Sequence, residues 1–472
     1  MPALRVGPSI AHPHGPPMPY DEVPLVKGPR SMRIAVVGSG IAGIGASWAL
    51  SQVHDVALFE ASDRVGGHSR TLDIDVDGVT LPVDTGFIVY NEKNYPNLVR
   101  FFDTLGVETE ASDMSFAVSS EDGTVEYGGR ASAMFSRPGA LLDRRIWDVV
   151  RGINRFRAEA DRLDRGLVPD DMTVSEYLAH RGYPAGFGSY YLLPLASAVW
   201  SGTRNNAQDM PARTFLGFLN NHGLIRIIDR PQWRTVTGGS RAYVERAIKE
   251  VTSVHTDRGV VAVRRGGAGV DVTDVHGVIE TFDHVVFATH ADVTLDILGG
   301  GATEDERRVL STFRYDHNEV VLHTDVSAMP RRRRVWSSWN GIERVGDDGS
   351  RPVSVSYWMN LLQNLDIDTD VIVTLNPGGS VDPSKVLDRW VTMHPQFDVA
   401  TDRAQREFPS IQGRDRVWFA GAHLGYGFHE DGLQSGLTVA ASLGAPAPWH
   451  DDVVPVSTAA VHAAPSRQWA LA

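Results

Sequence analysis

Across 472 residues there is no cysteine, which excludes disulfides, thiol catalysis, zinc–thiolate sites and any cofactor attached through cysteine. A net charge of −13 makes no general case for nucleic-acid binding, so no nucleic-acid partner is expected. With 42% hydrophobic and 22% charged residues the chain has ample core for two or three domains. No apolar run reaches membrane-spanning length, and the longest, around residues 190–200, contains Pro194.

Residues 1–31 are rich in proline, lack the apolar core of a signal peptide, and are expected to form a disordered leader. The next stretch organises everything after it. Ile34 to Val37 is a short β-branched run, the pattern of a strand buried on both faces. Gly38, Gly40 and Gly43 form a GxGxxG turn that opens a helix through Ala46, Ala49 and Leu50. Gly38 permits the tight turn, Gly40 lets backbone amides approach a pyrophosphate, and Gly43 lets helix pack on strand. Val56 to Phe59 reads as the second strand. Glu60 at its end can hold both hydroxyls of an adenosine ribose and disfavours a 2′-phosphate. This context makes the turn a dinucleotide site.

Immediately afterwards come Ala61, Arg64, Gly66, Gly67 and His68. An acid-ended strand followed by R-x-G-G-[RH] resembles the flavin amine-oxidase superfamily, with His68 in place of the commoner arginine. The resemblance implies a Rossmann-type α/β FAD-binding domain with a discontinuous α+β substrate domain. It also implies that Arg64 helps hold the FAD phosphates and that the paired glycines run beside the flavin. The strand Pro82–Tyr90, with Gly86 and Phe87, corresponds to the superfamily segment that crosses the flavin ring. Helical spacing from Tyr95 ends at Gly106.

Residues 141–163 are helical by period, with Leu142, Ile146, Val149, Ile153 and Phe156 on one stripe. Arg144, Arg145, Arg151, Arg155 and Arg157 surround that stripe, either as a solvated face or as a contact for anionic lipid headgroups. Arg331 to Arg334 form a second basic run, expected to be a solvated loop. Apolar segments at 190–200 and 215–224 suit a pocket for a greasy substrate and suit a helical core equally.

The glycine pair Gly238-Gly239 returns to the superfamily pattern, and the resemblance places Val260 at the adenine and Ala288-Thr289 over the FAD. Strands at 320–323, 353–358 and 371–375 predict the sheet of a substrate domain. The third signature runs from Arg416 through Gly421 and Ala422 to the glycine-rich turn before Gly432 and Leu433, with Ala422 where many relatives carry a glutamate. There the superfamily points a helix N-terminus at the flavin, whose reduced form its dipole stabilises. Residues 446–472 look like a loose tail rich in alanine and proline.

These signatures divide the chain into FAD-binding parts at 32–100, 236–310 and 405–445 and substrate parts at 101–235, mainly helical, and 311–404, a sheet. The FAD is expected to be non-covalent and held by Gly38, Gly40, Ile41, Ala42, Gly43, Glu60, Ala61, Arg64, Gly66, Gly67, His68, Gly86, Phe87, Val260, Ala288, Thr289, Gly421, Ala422, Gly432 and Leu433. No metal site is expected. Segments such as Val83–Asn91, Tyr357–Asn360 and Gly427–Gly432 resemble a bacterial subgroup often encoded beside methyltransferases like cyclopropane-fatty-acid synthase.

Amine oxidases commonly place a lysine near the flavin, yet the excursion from Phe313 to Pro377 contains none. Candidates for proton transfer are His429, Glu430, Tyr426 and His222. The resulting expectation is an FAD oxidoreductase that desaturates or isomerises a fatty acyl chain, free or in phospholipid, by hydride transfer. The alternatives are oxidation of a small amine, or a flavoprotein that binds lipid as partner of a lipid methyltransferase without turnover. A cytoplasmic location with peripheral contact at the inner membrane face is expected.

Overall fold

The computed structural model describes residues 31–120, 123–128, 131–136, 139–163, 168–169, 172–200, 204–221, 231–343 and 353–451. The leader, apart from Ser31, lies outside the described residues, as do His222 and the tail beyond Asp451.

Five parallel strands form the nucleotide sheet, in the order Ser253–His255, Asp55–Phe59, Arg33–Val37, His284–Phe287 and Val417–Phe419. Its central strands are apolar beyond their first residues, Arg33, Asp55 and His284, because both faces are covered. Ile34 and Val36 pack under the helices Ile41–Ser51 and His429–Ser442. Ala35 and Val37 pack under the antiparallel sheet Val260–Arg265, Val270–Asp274 and Ile279–Phe282. The two helices cross at backbone contact, since a Cβ on Gly436 would lie 2.1 Å from the Ala42 carbonyl oxygen.

The chain end nearest this sheet corrects one expectation. Ala447 and Trp449 are core residues, not tail. The Trp449 ring stacks on Trp48 at 5.6 Å and its Nε1 donates to Asn97 Oδ1 at 3.1 Å.

A seven-stranded sheet carries the second layer, in the order Val386–Gln396, Arg314–His323, Ile372–Leu375, Val353–Trp358, Trp339–Glu343, Phe116–Ser120 and Glu126–Gly128. The register sets Trp390 beside Val320, Val320 beside Leu375, Val373 beside Tyr357, and Tyr357 beside Trp339. Side chains alternate across a strand, so these six share one face. The last two strands come from the stretch expected to be mainly helical. Phe116–Ser120 pairs in parallel with Trp339–Glu343, a partner more than two hundred residues away. The short sheet of Tyr90–Asn91, Trp233–Val236 and Thr109–Ser112 links the two layers.

Helices cover the apolar face. The basic helix runs Arg144–Leu163 and buries Ile146, Val149 and Phe156 as its period predicts. Leu142 leaves the stripe: it sits on the turn Ala140–Leu142 and is 91% exposed. The helices Leu193–Trp200 and Ala212–Asn221 pack Trp200, Phe215 and Phe218 into one core. The second basic run is largely paired, with Arg332 on buried Glu126 and Arg333 bound to Asp370 at 2.7 Å.

Candidate active site

The nucleotide-sheet strands Arg33–Val37, Asp55–Phe59, His284–Phe287 and Val417–Phe419 all end at one cavity of about 660 Å³, which continues over the apolar face of the large sheet. At its nucleotide end the wall is mostly backbone. Gly38 has φ +99°, and a Cβ there would lie 2.8 Å from the Ala288 carbonyl oxygen. Gly43 packs against that turn, with a hypothetical Cβ 1.9 Å from the Gly38 oxygen. Gly40 differs: no atom lies within 4 Å of where its Cβ would be, and it opens on the cavity. The helix Ile41–Ser51 begins there with no side-chain cap, leaving its first amides toward that space.

Two charges stand beside these amides. Glu60 Oε2 accepts from Ser39 N at 3.1 Å and from Ser39 Oγ at 2.5 Å. Its Oε1 accepts from Ser62 N and Oγ at 2.9 and 3.0 Å. Arg64 donates to the carbonyls of Gly67 at 2.8 Å and Ser69 at 3.3 Å, and meets no carboxylate among the described residues. Burial, followed by the neighbouring Arg70, lowers its pKa from the usual arginine value. A half-buried cation bound only to carbonyls, beside an uncapped helix start, fits a pyrophosphate. The Glu60 carboxylate fits a ribose diol that replaces the serine hydroxyls.

Of the residues expected around FAD, sixteen line the cavity: Gly38, Gly40, Ile41, Ala42, Glu60, Ala61, Arg64, Gly67, His68, Gly86, Phe87, Val260, Ala288, Thr289, Gly421 and Ala422. Gly43, Gly66, Gly432 and Leu433 do not line it. Gly432 packs on Ile41, Leu433 fills the space left by Gly45, and Gly66 turns at φ +115° against Ser69.

Five histidines line the middle and floor: His68, His290, His394, His423 and His429. Burial disfavours the charged imidazolium in each of them. It brings His68 down to about 4 and His394 and His423 to about 3, and it holds His429 well below the ordinary value. His394 Nδ1 and His423 Nε2 are buried without a hydrogen-bond partner.

The proton-transfer candidates separate. His429 reaches the cavity, stacked on Phe87 at 3.7 Å, but its Nε2 is engaged by Ser69 Oγ at 2.9 Å and Tyr243 OH at 3.3 Å. Glu430 points away. It accepts from Asn97 N, Asn97 Nδ2 and Leu98 N at 2.8–3.0 Å, which caps the helix Pro96–Leu105. Burial raises its pKa to about 7. Tyr426 lies in the helical core against Phe218, off the cavity wall. His222 lies outside the described residues.

Beyond the histidines the wall turns apolar, with Met114, Trp200, Phe218, Val320, Trp339, Tyr357, Val373, Leu375 and Trp390. Among the described residues, Glu60 and Arg64 are the only acidic or basic side chains besides histidine on the whole lining. Lys93, Lys249 and Lys385 lie elsewhere, and Lys385 pairs with Asp325 at 3.2 Å. The indole N–H groups of Trp339 and Trp390 are buried and unpartnered.

The family model for flavin containing amine oxidoreductases matches residues 41–298, more than half of the chain. This chain belongs to that family. AofH of Mycobacterium tuberculosis, whose name assigns it as a flavin-containing monoamine oxidase, is 28% identical over 270 residues. That match covers 53% of this chain and 56% of the relative, so the chain spans about half the length of the curated relatives it matches.

Among solved structures, a CLA-producing fatty acid isomerase from P. acnes superposes with TM-score 0.62 at 18% identity, covering 86% of this chain and 97% of that one. Putrescine oxidase bound to putrescine gives 0.64 at 15%, covering 88% and 99%. Cyclohexylamine oxidase from Brevibacterium oxydans gives 0.62 at 16%, also covering 88% and 99%. At such identities the likeness is one of fold.

Within this flavin-family frame, sequence reasoning missed the serines on Glu60, the unpartnered His394 and the two tryptophans. Ser39 and Ser62 flank motif residues and were within reach of inspection. His394, Trp339 and Trp390 are identified only by strand register.

Proposed function

We propose that this protein is an FAD-dependent oxidoreductase, holding its FAD non-covalently, that desaturates or isomerises a fatty acyl chain. The observation that carries the reading is the floor of the cavity. It crosses five adjacent strands from Trp390 to Trp339, four strand spacings or about 19 Å, with mostly apolar and aromatic side chains. That length suits a long acyl chain. A small protonated amine would meet no carboxylate beyond Glu60, at the opposite end, among the described residues.

Arg64 and the first amides of Ile41–Ser51 would hold the pyrophosphate, Glu60 the ribose, and Gly86, Phe87 and Gly421 would flank the ring system. When bound, the flavin supplies a two-electron partner for a hydride. The chain's own residues then do three things. The apolar wall excludes water and extends the acyl chain. His394, a neutral imidazole on the lining, is the side chain best placed to take or return a proton. The Trp339 ring closes the far end of the chamber against the acyl chain. Isomerisation needs no net oxidant, whereas desaturation needs an external electron acceptor.

The test is product analysis by gas chromatography and mass spectrometry after incubating the flavin-loaded protein with oleate, linoleate or bacterial phospholipid, with and without an electron acceptor. A shifted or additional double bond supports the proposal. Unchanged lipid, together with conversion of an alkylamine to its aldehyde, overturns it.

A further inference from the structure

We infer that the face around Leu141, Leu142, Arg144 and Arg334 docks on an anionic phospholipid surface. Residues 130–157 carry seven arginines against two aspartates, in a chain whose net charge is −13. The fold brings this segment together with the separate run Arg331–Arg334. The strand-end turn at Gly123 lies between them: Arg145 Nη1 donates to Thr124 Oγ1 and Arg332 Nη1 to the Gly123 carbonyl, each at 3.4 Å. The short helix Ala131–Met134 also packs against the turn Arg333–Val335.

Most of these arginines that the structure describes have partners, which leaves unpaired charge in two described places. Arg145 is held by Asp143 at 2.9 Å, Arg333 by Asp370 and Arg332 by Glu126. Arg144 and Arg334 are exposed and meet no carboxylate among the described residues. Beside Arg144 stands an apolar prow. Leu141 is 64% and Leu142 91% exposed, on a turn pinned to the basic helix by the Trp147 Nε1 bond to the Leu141 carbonyl at 2.8 Å. Two protruding leucines, an indole at the boundary and flanking guanidinium groups match the layering of a bilayer surface: apolar side chains in the acyl region, cations at the phosphates.

Charge decides the occupant. The overall negative charge repels an anionic membrane at long range, so docking has to come from this local patch and the inserted leucines. The basic helix covers the same face of the large sheet over which the apolar chamber runs, at its Phe116 and Tyr127 end. The inference does not depend on the acyl-chain reading, since docking and turnover are measured separately.

The experiment is flotation of the full-length flavin-loaded protein with vesicles of phosphatidylcholine alone or mixed with phosphatidylglycerol. Two double variants are tested, Leu141→Ser with Leu142→Ser and Arg144→Glu with Arg334→Glu. All four sites are exposed, and the melting temperature and flavin content verify folding. Binding to the mixed vesicles, weakened by salt and reduced at least tenfold in each variant, is expected. No binding to mixed vesicles, equal binding to phosphatidylcholine alone, or variants that bind like the wild type would overturn the inference.

Discussion

At the nucleotide end of the cavity the wall is made of backbone at Gly38, Gly40 and Gly67 plus the two separate charges of Glu60 and Arg64, whereas at the chamber end it is made of side chains projecting from five strands. A backbone wall admits one ligand shape, and a Cβ in the wrong place abolishes it. A side-chain wall can be re-lined without moving a strand. Structures of this one fold are named for a fatty acid isomerase and for amine oxidases.

The largest effect that tests this contrast lies within the glycine motif itself. Gly43→Val places atoms onto the Gly38 carbonyl and is expected to cost about 3 kcal/mol or more, seen as a collapse in melting temperature. Gly40→Val meets open space in the protein and should melt within a few degrees of wild type while losing FAD. If both melt alike, the backbone end is not divided into packing and binding glycines.

Arg64→Met comes next. Losing a charge-assisted contact to an anion should raise the FAD dissociation constant roughly 10–100-fold, measured by flavin fluorescence, with little change in fold. An unchanged constant would remove Arg64 from the nucleotide end.

The boundary between the two ends is probed by pH. Burial holds His423 neutral with its pKa down at about 3, so the unfolded chain takes a proton near 6.5 that the folded chain refuses. The stability His423 contributes is therefore complete above pH 6.5 and is lost as pH falls toward 3. The raised carboxyls of Asp84, Glu430 and Asp431, at about 6 to 7, act in the opposite sense between pH 4 and 7 in any variant that retains them. His423→Phe, among Phe313, Phe408 and Tyr315, should thus flatten the acid loss relative to wild type by up to about 1.4 kcal/mol per pH unit. Parallel denaturation curves from pH 6.5 to 4 would contradict a buried neutral imidazole there.

The smallest effect belongs to the side-chain wall. Trp339→Phe keeps an aromatic ring but removes part of the apolar wall. It should raise KM for an acyl substrate roughly threefold to tenfold with FAD affinity unchanged. A shift in FAD affinity instead would mean that the two ends are not separable.

The same contrast governs what could be read from the chain alone. The places of Gly38, Gly40, Glu60 and Arg64 on the cavity are legible because they follow from local spacing, a strand end and a helix start. The chamber is not, because Phe116–Ser120 is a five-residue strand whose partner, Trp339–Glu343, lies far along the chain. Proximity in sequence also misleads about direction. His429 and Glu430 are neighbours, yet one helical step of about 100° sends His429 to the cavity and Glu430 to the cap of Pro96–Leu105. Trp449 was hidden by the composition around it, although a tryptophan in an alanine- and proline-rich stretch is itself a signal of burial.

The measurement that tests the central claim most directly is an anaerobic titration of the flavin-loaded protein, followed through the visible flavin bands, with oleate in one arm and an alkylamine in the other. A saturable perturbation or bleaching by oleate, with bands unchanged by the amine, is predicted for a flavin site that opens on an acyl chamber. Bands unmoved by oleate but bleached by the amine would contradict it.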